Sequence, residues 1–373
     1  MAIPSRIAAL LLLVAALPLF AADEPASPAA AGWDRQAAVR YLDSREAWWQ
    51  TWDRAQKDHG TLCVSCHTQF PYALARPTLR SALDEAAPGP QEAAMLASIE
   101  KRVRGWSQMA PFYSDALSGA GKEVESRNAE SVLNAIILSG YDAGRPALSD
   151  TARLAFDNAW ALQSRTGPDA GAWVWQNFEY TPWESKESQY HFAALMAVAV
   201  GKAPGRYRDD PKIDPNLAAL RGYLRSHYEA QPLLNKIAAL WASRDFPGVT
   251  TTQQRDALLG LLSALQRPDG GWSLADLGNW ERRDKTPLET RSDGYATGLI
   301  VLVLEETARS PQADSHVARG LAWLRGNQDA ATGAWPAWSL NKNRDPKSEV
   351  GQFMSDAATG YAVLALDAGQ TGR

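Results

Sequence analysis

From Trp33 onward, apolar residues recur every three or four positions, the spacing that gathers them on one face of an α-helix. The pattern is clearest over 129–138, 192–200, 255–265, 296–304 and 357–366. No alternating strand pattern competes with it, and clusters of Gly, Pro and Asp punctuate the periodic stretches. The expected class is all-α. Near the start the pattern differs: Arg6 precedes an unbroken apolar run over 7–20, then Ala21 and Ala22. A positive start, a short apolar stretch and a small-residue exit predict a secretory signal peptide over 1–22. A Pro/Ala-rich spacer follows over 23–32. The run is shorter than the roughly 20 residues a spanning helix needs. No Cys stands at the exit to carry a lipid, and no later stretch reads as a membrane span. A periplasmic or secreted chain is expected.

The periodic stretches also repeat. Gln266-Arg267-Pro268-Asp269-Gly270-Gly271-Trp272 leads through a polar loop to Ser292-Asp293-Gly294-Tyr295. Gln328 to Gly333-Ala334-Trp335 leads likewise to Ser355-Asp356, and both Trp272–Trp335 and Ser292–Ser355 are 63 positions apart. A looser copy runs from Gln163 through Gly171-Ala172-Trp173 to Ser188. Weaker units over 33–83, 94–141 and 217–243 fill the remainder, so six helical hairpins are predicted.

Composition then narrows the chemistry. A 45% apolar content supports a sizeable core, and a formal net charge of −4 gives no electrostatic reason to bind nucleic acid. The 15 Trp exceed what a plain helical core needs, and both Cys fall in one motif, Cys63-Val64-Ser65-Cys66-His67. C-x-x-C-H is the attachment signature of c-type haem. Two thiols at this spacing can each add to a haem vinyl group, and the following imidazole then reaches the iron. Three alternatives compete with haem attachment. A thioredoxin-like pair needs a βαβ context, a zinc site needs further ligands, and a structural disulfide is chemically open in an oxidising compartment. One covalent haem c is the expected cofactor, held by Cys63, Cys66 and His67. The sixth iron ligand is open among Met95, Met109, Met196, Met354, His59, His191, His227 and His316.

The Gln…Gly-x-Trp repeats resemble those of squalene–hopene cyclases and the wider terpenoid cyclase and prenyltransferase superfamily, over residues 90–370. The resemblance implies an (α/α) toroid of about six hairpins, parallel inner helices ringed by outer ones. It also implies that Trp173, Trp272 and Trp335 tie hairpins together rather than catalyse. The cyclase acid motif Asp-x-Asp-Asp is absent; the nearest acidic pair is Asp209-Asp210. The zinc chemistry of protein prenyltransferases needs a Cys, and both are taken by the haem motif. The whole chain resembles bacterial exported proteins that place C-x-x-C-H in the first hairpin of such a toroid. A haem hairpin over 33–90 would then be continuous with the toroid over 91–370.

Aligning the hairpins puts His67, Ser126, Ser188, Ser292 and Ser355 near the start of each second helix. Converging helix N-termini favour anions, such as haem propionates or a substrate carboxylate. Arg127, Glu187, His191, Asp293, Tyr295 and Asp356 become candidate cavity residues. Competing roles are helix capping for Asp293 and Asp356, pairing with Glu125 or Glu130 for Arg127, and a plain core histidine for His191. Ring closure would set the first unit against the second and sixth, which carry Met109 and Met354; Met109 ranks first as distal ligand because a loop can reach across the haem face. The expected function is redox chemistry or electron transfer with a periplasmic partner. The alternatives are an oxidoreductase acting on an apolar or carbohydrate-like ligand in the cavity, and a haem-independent carbohydrate-binding or lyase toroid.

Overall fold

The computed structural model describes Met1 and residues 32–114, 117–308 and 310–371. Apart from Met1 and Gly32, the expected leader and spacer lie outside the described residues. The described chain is all-α. Its helices are α1 (Arg35–Thr51), α2 (Gln69–Ala82), α3 (Pro90–Arg104), α4 (Lys122–Tyr141), α5 (Asp150–Leu162), α6 (Ser188–Lys202), α7 (Asp214–His227), α8 (Leu233–Asp245), α9 (Thr252–Leu265), α10 (Gly294–Thr307), α11 (Pro311–Gly326) and α12 (Phe353–Thr371). The one sheet among the described residues pairs β1 (Gln56–Lys57) with β2 (Thr61–Leu62), antiparallel, with Gln56 opposite Leu62.

Local chemistry sets the helix starts. The side chains of Asp34, Ser149, Thr251, Asp293 and Ser310 each accept a backbone N–H three residues on. Each satisfies a donor that the first turn leaves orphaned. Thr251 and Gln254 complete a reciprocal capping box.

Burial sorts the helices. In α10 every residue from Gly294 to Leu304 is buried, whereas α9 buries only Leu258 and Leu262. A helix apolar all round belongs in an interior, and one with a narrow stripe belongs outside. Accordingly α2 packs on α4, α4 on α6, α6 on α8, α8 on α10, α10 on α12, and α12 back on α2. The other helices lie against these, α1 on α2, α5 on α4, α7 on α6, α9 on α8 and α11 on α10, while α3 packs between α1 and α5 and touches α2. Backbones come close at glycines of this cycle. A Cβ on Gly298 would meet Ala362 N at 2.7 Å, and one on Gly360 would meet Pro71 O at 2.9 Å.

The repeated loops make one kind of joint three times. Gln163 Nε2 donates to Gly171 O (2.9 Å) and Asn216 O (3.1 Å). Gln266 Nε2 donates to Gly270 O and His316 O, both 2.8 Å. Gln328 Nε2 donates to Gly333 O and Asp34 O, both 2.9 Å. Each glutamine thus bridges its own loop to the next outer helix, and the last one reaches back to α1. Trp173, Trp272 and Trp335 are fully buried beneath these loops. Their indole N–H groups donate to Ala159 O, Leu262 O and Leu324 O in the preceding outer helix. Burying 150–250 Å² of indole is worth about 5 kcal/mol gross at each joint.

A buried ionic knot fixes the chain ahead of the C-x-x-C-H motif. Arg102 of α3, fully buried, donates to Glu130 (2.5 Å), Asp58 (2.9 Å), Thr61 (2.8 Å) and Ala110 O (2.7 Å). It therefore clamps the β1–β2 hairpin to α4.

Candidate cofactor site

The motif occupies the loop between β2 and α2, and the backbone holds it on three sides. Cys63 N donates to Ala55 O at 2.8 Å, and Trp49 Nε1 of α1 donates to Cys63 O at 2.8 Å. Leu62 N donates to Ser98 Oγ of α3 at 2.9 Å. Ser65, inside the motif, starts the next helix: its hydroxyl accepts from Thr68 N (3.2 Å) and Gln69 N (3.0 Å). The second variable position of C-x-x-C-H is therefore a cap for α2.

Both cysteines are buried free thiols. Burial pushes Cys63 up to about 12, and burial with Glu184 and Cys63 nearby also raises Cys66 well above the usual thiol range, so both stay protonated at neutral pH. Burial, with Arg45 and Arg344 nearby, pushes His67 down to about 3 and keeps its imidazole neutral. A neutral imidazole is the form that binds a metal.

The orientation of that imidazole follows from hydrogen-bond bookkeeping. Thr68 Oγ1 donates its single proton to Asp356 Oδ2 at 2.7 Å. Toward His67 Nδ1, 2.9 Å away, the same oxygen must accept. Nδ1 carries the proton, and Nε2, with no hydrogen-bond partner among the described residues, keeps a free lone pair. Asp356 is itself held by Tyr41 Oη and Arg45 Nε, both 2.8 Å from Oδ1. Arg45 also pairs with Glu349. Phe353 stacks on the His67 ring with centroids 3.6 Å apart, and Trp49 meets it edge-on at 5.2 Å.

His67 and Cys63 open on a cavity of about 1040 Å³. Its wall comes from the loops that precede α2, α4, α6 and α12, together with the end of α1. Trp49, Trp52, Tyr113, Phe178, Trp183 and Phe353 make it aromatic. Among the described residues, Arg54, Lys57, Lys342 and Arg344 also line it, against the acids Asp53 and Glu184. On a chain of net charge −4 this is a locally cationic pocket. Glu184 is fixed by paired backbone bonds with Tyr180, and burial raises its carboxyl to about 7.

The donor set suits haem c: two neutral thiols, an oriented imidazole, a flat-walled aromatic cavity and cations for propionates. Cys63 lies on the cavity wall, and Cys66 is buried next to it in the motif. Among the described residues, no three His, Cys, Asp or Glu side chains cluster to hold a bare metal ion.

Most of the other sequence candidates sit away from this cavity wall. Met109 is not on the cavity wall; it packs beneath Gly105, and its carbonyl accepts from Arg127. Met354 is on the wall. The pre-helix loop carrying Met109 is drawn toward α4 by Arg127 and Arg102 instead of across the imidazole. Arg127 pairs with Glu130 and lies over Trp106 at 4.4 Å. Glu187 lines a separate surface cleft beside α8. His191 is buried in α6 with Nδ1 unpartnered, and burial lowers it to about 4. Asp293 caps α10, accepting from Ala296 N at 2.8 Å and Leu274 N at 2.5 Å. Tyr295 is buried between Trp183 and Tyr361. Asp356 is not a cap, since its oxygens are taken by α1 and by Thr68. Thr68, Arg45, Phe353, Trp183 and Glu184 were not singled out in the sequence. Only Thr68 carried a signal, as the hydroxyl next to His67.

No protein-family model matches the chain, and no curated protein matches it. No helix among the described residues is long and apolar enough to cross a membrane.

Proposed function

We propose that this chain is an exported, periplasmic c-type haem protein working in redox chemistry or electron transfer, with haem at the mouth of a Trp-rich (α/α) toroid. The observation that carries the reading is the oriented, neutral His67 directly after Cys66, facing a cationic aromatic cavity with Cys63. The cycle of contacts from α2 through α12 and back supports the toroid. Cys63 and Cys66 would hold the porphyrin through thioether links and His67 would hold the iron; bound there, haem supplies a one-electron centre. Arg344 and Lys342 on the cavity wall would neutralise propionates, while Trp49 and Phe353 would limit rotation of the imidazole. Of the two methionines near the first unit, Met354 is the better distal candidate because it shares the cavity wall with His67.

The test is a pyridine haemochrome assay on chain matured with a haem-attachment system. Covalent haem in the wild type, lost in Cys63→Ser/Cys66→Ser, is the expected result; a matured preparation without haem removes the reading. The second reading, an oxidoreductase with an accessible iron, draws on Glu184: a carboxyl on the cavity wall, with no salt bridge among the described residues and raised to about 7, suits acid–base work on a small ligand. A carbon monoxide spectrum separates the two. A six-coordinate iron that resists the gas fits electron transfer, and ready binding fits the enzyme. A shared fold alone would not decide.

A further inference from the structure

We propose that Asp356, acting through Thr68, is a positioning residue for the iron-binding imidazole: the last helix of the cycle sets the tautomer and donor strength of a ligand 289 positions earlier in the chain. This rests on the haem reading for its redox consequence, but its geometry stands without it. The relay is a single file of hydrogen bonds, His67 Nδ1 to Thr68 Oγ1 to Asp356 Oδ2, at 2.9 and 2.7 Å. Every member other than His67 is buried, with Thr68 and Asp356 each 1% exposed. Asp356 has no freedom to turn away, because Oδ1 is shared by Tyr41 and Arg45 from α1. Phe353, three residues earlier on the same helix, covers the imidazole face.

The chemistry of such a relay is directional. An acceptor on Nδ1–H raises electron density at Nε2, and a carboxylate behind that acceptor strengthens it. A more basic ligand stabilises ferric over ferrous iron and lowers the potential. It also fixes which nitrogen faces the metal before any metal arrives. The arrangement makes ligand geometry depend on packing between α12, α1 and α2, since this cluster sits where the three helices meet. Outer partners of metal-ligating histidines characteristically change affinity or activity by 10–100-fold when removed.

Three variants isolate the relay. Thr68→Val keeps shape and removes the hydroxyl, Thr68→Ser restores the hydroxyl, and Asp356→Asn keeps shape while weakening the acceptor. In the haem-loaded full chain, Thr68→Val and Asp356→Asn are expected to shift the ferric-to-ferrous ratio at fixed potential about tenfold toward ferrous, a rise of about 59 mV for one electron. Thr68→Ser is expected to match wild type. In the same chain without haem, ¹⁵N shifts should report His67 as the Nδ1–H form in wild type and Thr68→Ser, and as a mixture of tautomers in Thr68→Val. Asp356→Asn exposes Arg45 to a lost charge partner, so Thr68→Val is the deciding variant where Asp356→Asn folds poorly. An unchanged tautomer in Thr68→Val, or an unchanged potential with haem attached, overturns the relay. Absent haem with the tautomer held in wild type and lost in Thr68→Val would sink the haem reading and leave the positioning role standing.

Discussion

Replacing Gly333 by Ala should unlock the joint between the last loop and α1. Gly333 has φ +82°, and a Cβ there would lie 2.3 Å from Ala37 O and 2.4 Å from its carbonyl carbon. Both obstacles are backbone atoms in the first turn of α1, so no side-chain rotation relieves them. A left-handed conformation for a non-glycine residue costs about 1–3 kcal/mol. Forced displacement of packed atoms adds about 1–3 kcal/mol. A loss of about 4 kcal/mol is expected, a large part of the 5–15 kcal/mol that typically separates folded from unfolded chains. At this chain length about 2 °C accompanies each kcal/mol, so the midpoint should fall by about 8 °C in a thermal melt followed by circular dichroism. Gly260, exposed within α9 with nothing within 4 Å of its would-be Cβ, is the matched control. There Ala should raise stability by about 1 kcal/mol through helix propensity. Gly171→Ala, with Ala219 O at 2.1 Å and φ +100°, should behave like Gly333→Ala. A Gly333→Ala melt that overlays the wild type, or one that rises as Gly260→Ala does, would refute the idea that these loops are rigid joints.

Four further outcomes follow from the same geometry. Arg102→Met leaves Glu130 buried and Asp58 without its cation, and should cost about 3–5 kcal/mol in a denaturant titration. In haem-loaded chain, Met354→Ala should change the ligand-field absorption of the iron while Met109→Ala leaves it unaltered. Glu46 is fully buried and pushed up to about 8, chiefly by desolvation, with Gln69 and Gln50 opposing. Its folded pKa lies above the unfolded one, so its contribution is complete below about 4.5 and is lost as pH rises through about 8. Glu46→Gln should accordingly gain on wild type by a few kcal/mol, on the order of the pKa shift, between pH 5 and pH 9 in urea melts. Asp293 is raised to about 7 by burial, so the same sign applies: Asp293→Asn should flatten the decline of wild-type stability between about pH 4 and pH 7.

Much of the helical framework was legible because its signals are local. The three-and-four spacing marks the apolar helices, and the Gln…Gly-x-Trp spacing marks the joints that Gln163, Gln266 and Gln328 make. The motif was legible for the same reason, since five consecutive residues carry it. What stayed hidden depends on contacts between distant parts of the chain. Nothing near Asp356 signals that Thr68, Tyr41 and Arg45 converge on it; as an acid in a first helical turn it reads as a cap, which Asp293 is. The placement of Met109 was hidden because Arg127 and Arg102 both bond carbonyls of its loop, at Met109 and Ala110, and such side chain-to-backbone bonds leave no periodic trace. The aromatic wall shows in composition as an excess of Trp. Which of the 15 reach the cavity is decided by loop paths alone.

The bond from Gln328 to Asp34 and the packing of α12 on α1 bring the two extremities of the folded segment side by side, close enough for the charge of Arg35 to act on Asp367. Covalent order is then largely interchangeable with spatial order. A circularly permuted gene that fuses these neighbouring extremities and begins instead at α7 would keep each glutamine bridge and the Thr68–Asp356 bond. In that rearranged chain, the imidazole would follow its carboxylate by roughly 50 positions instead of preceding it by 289.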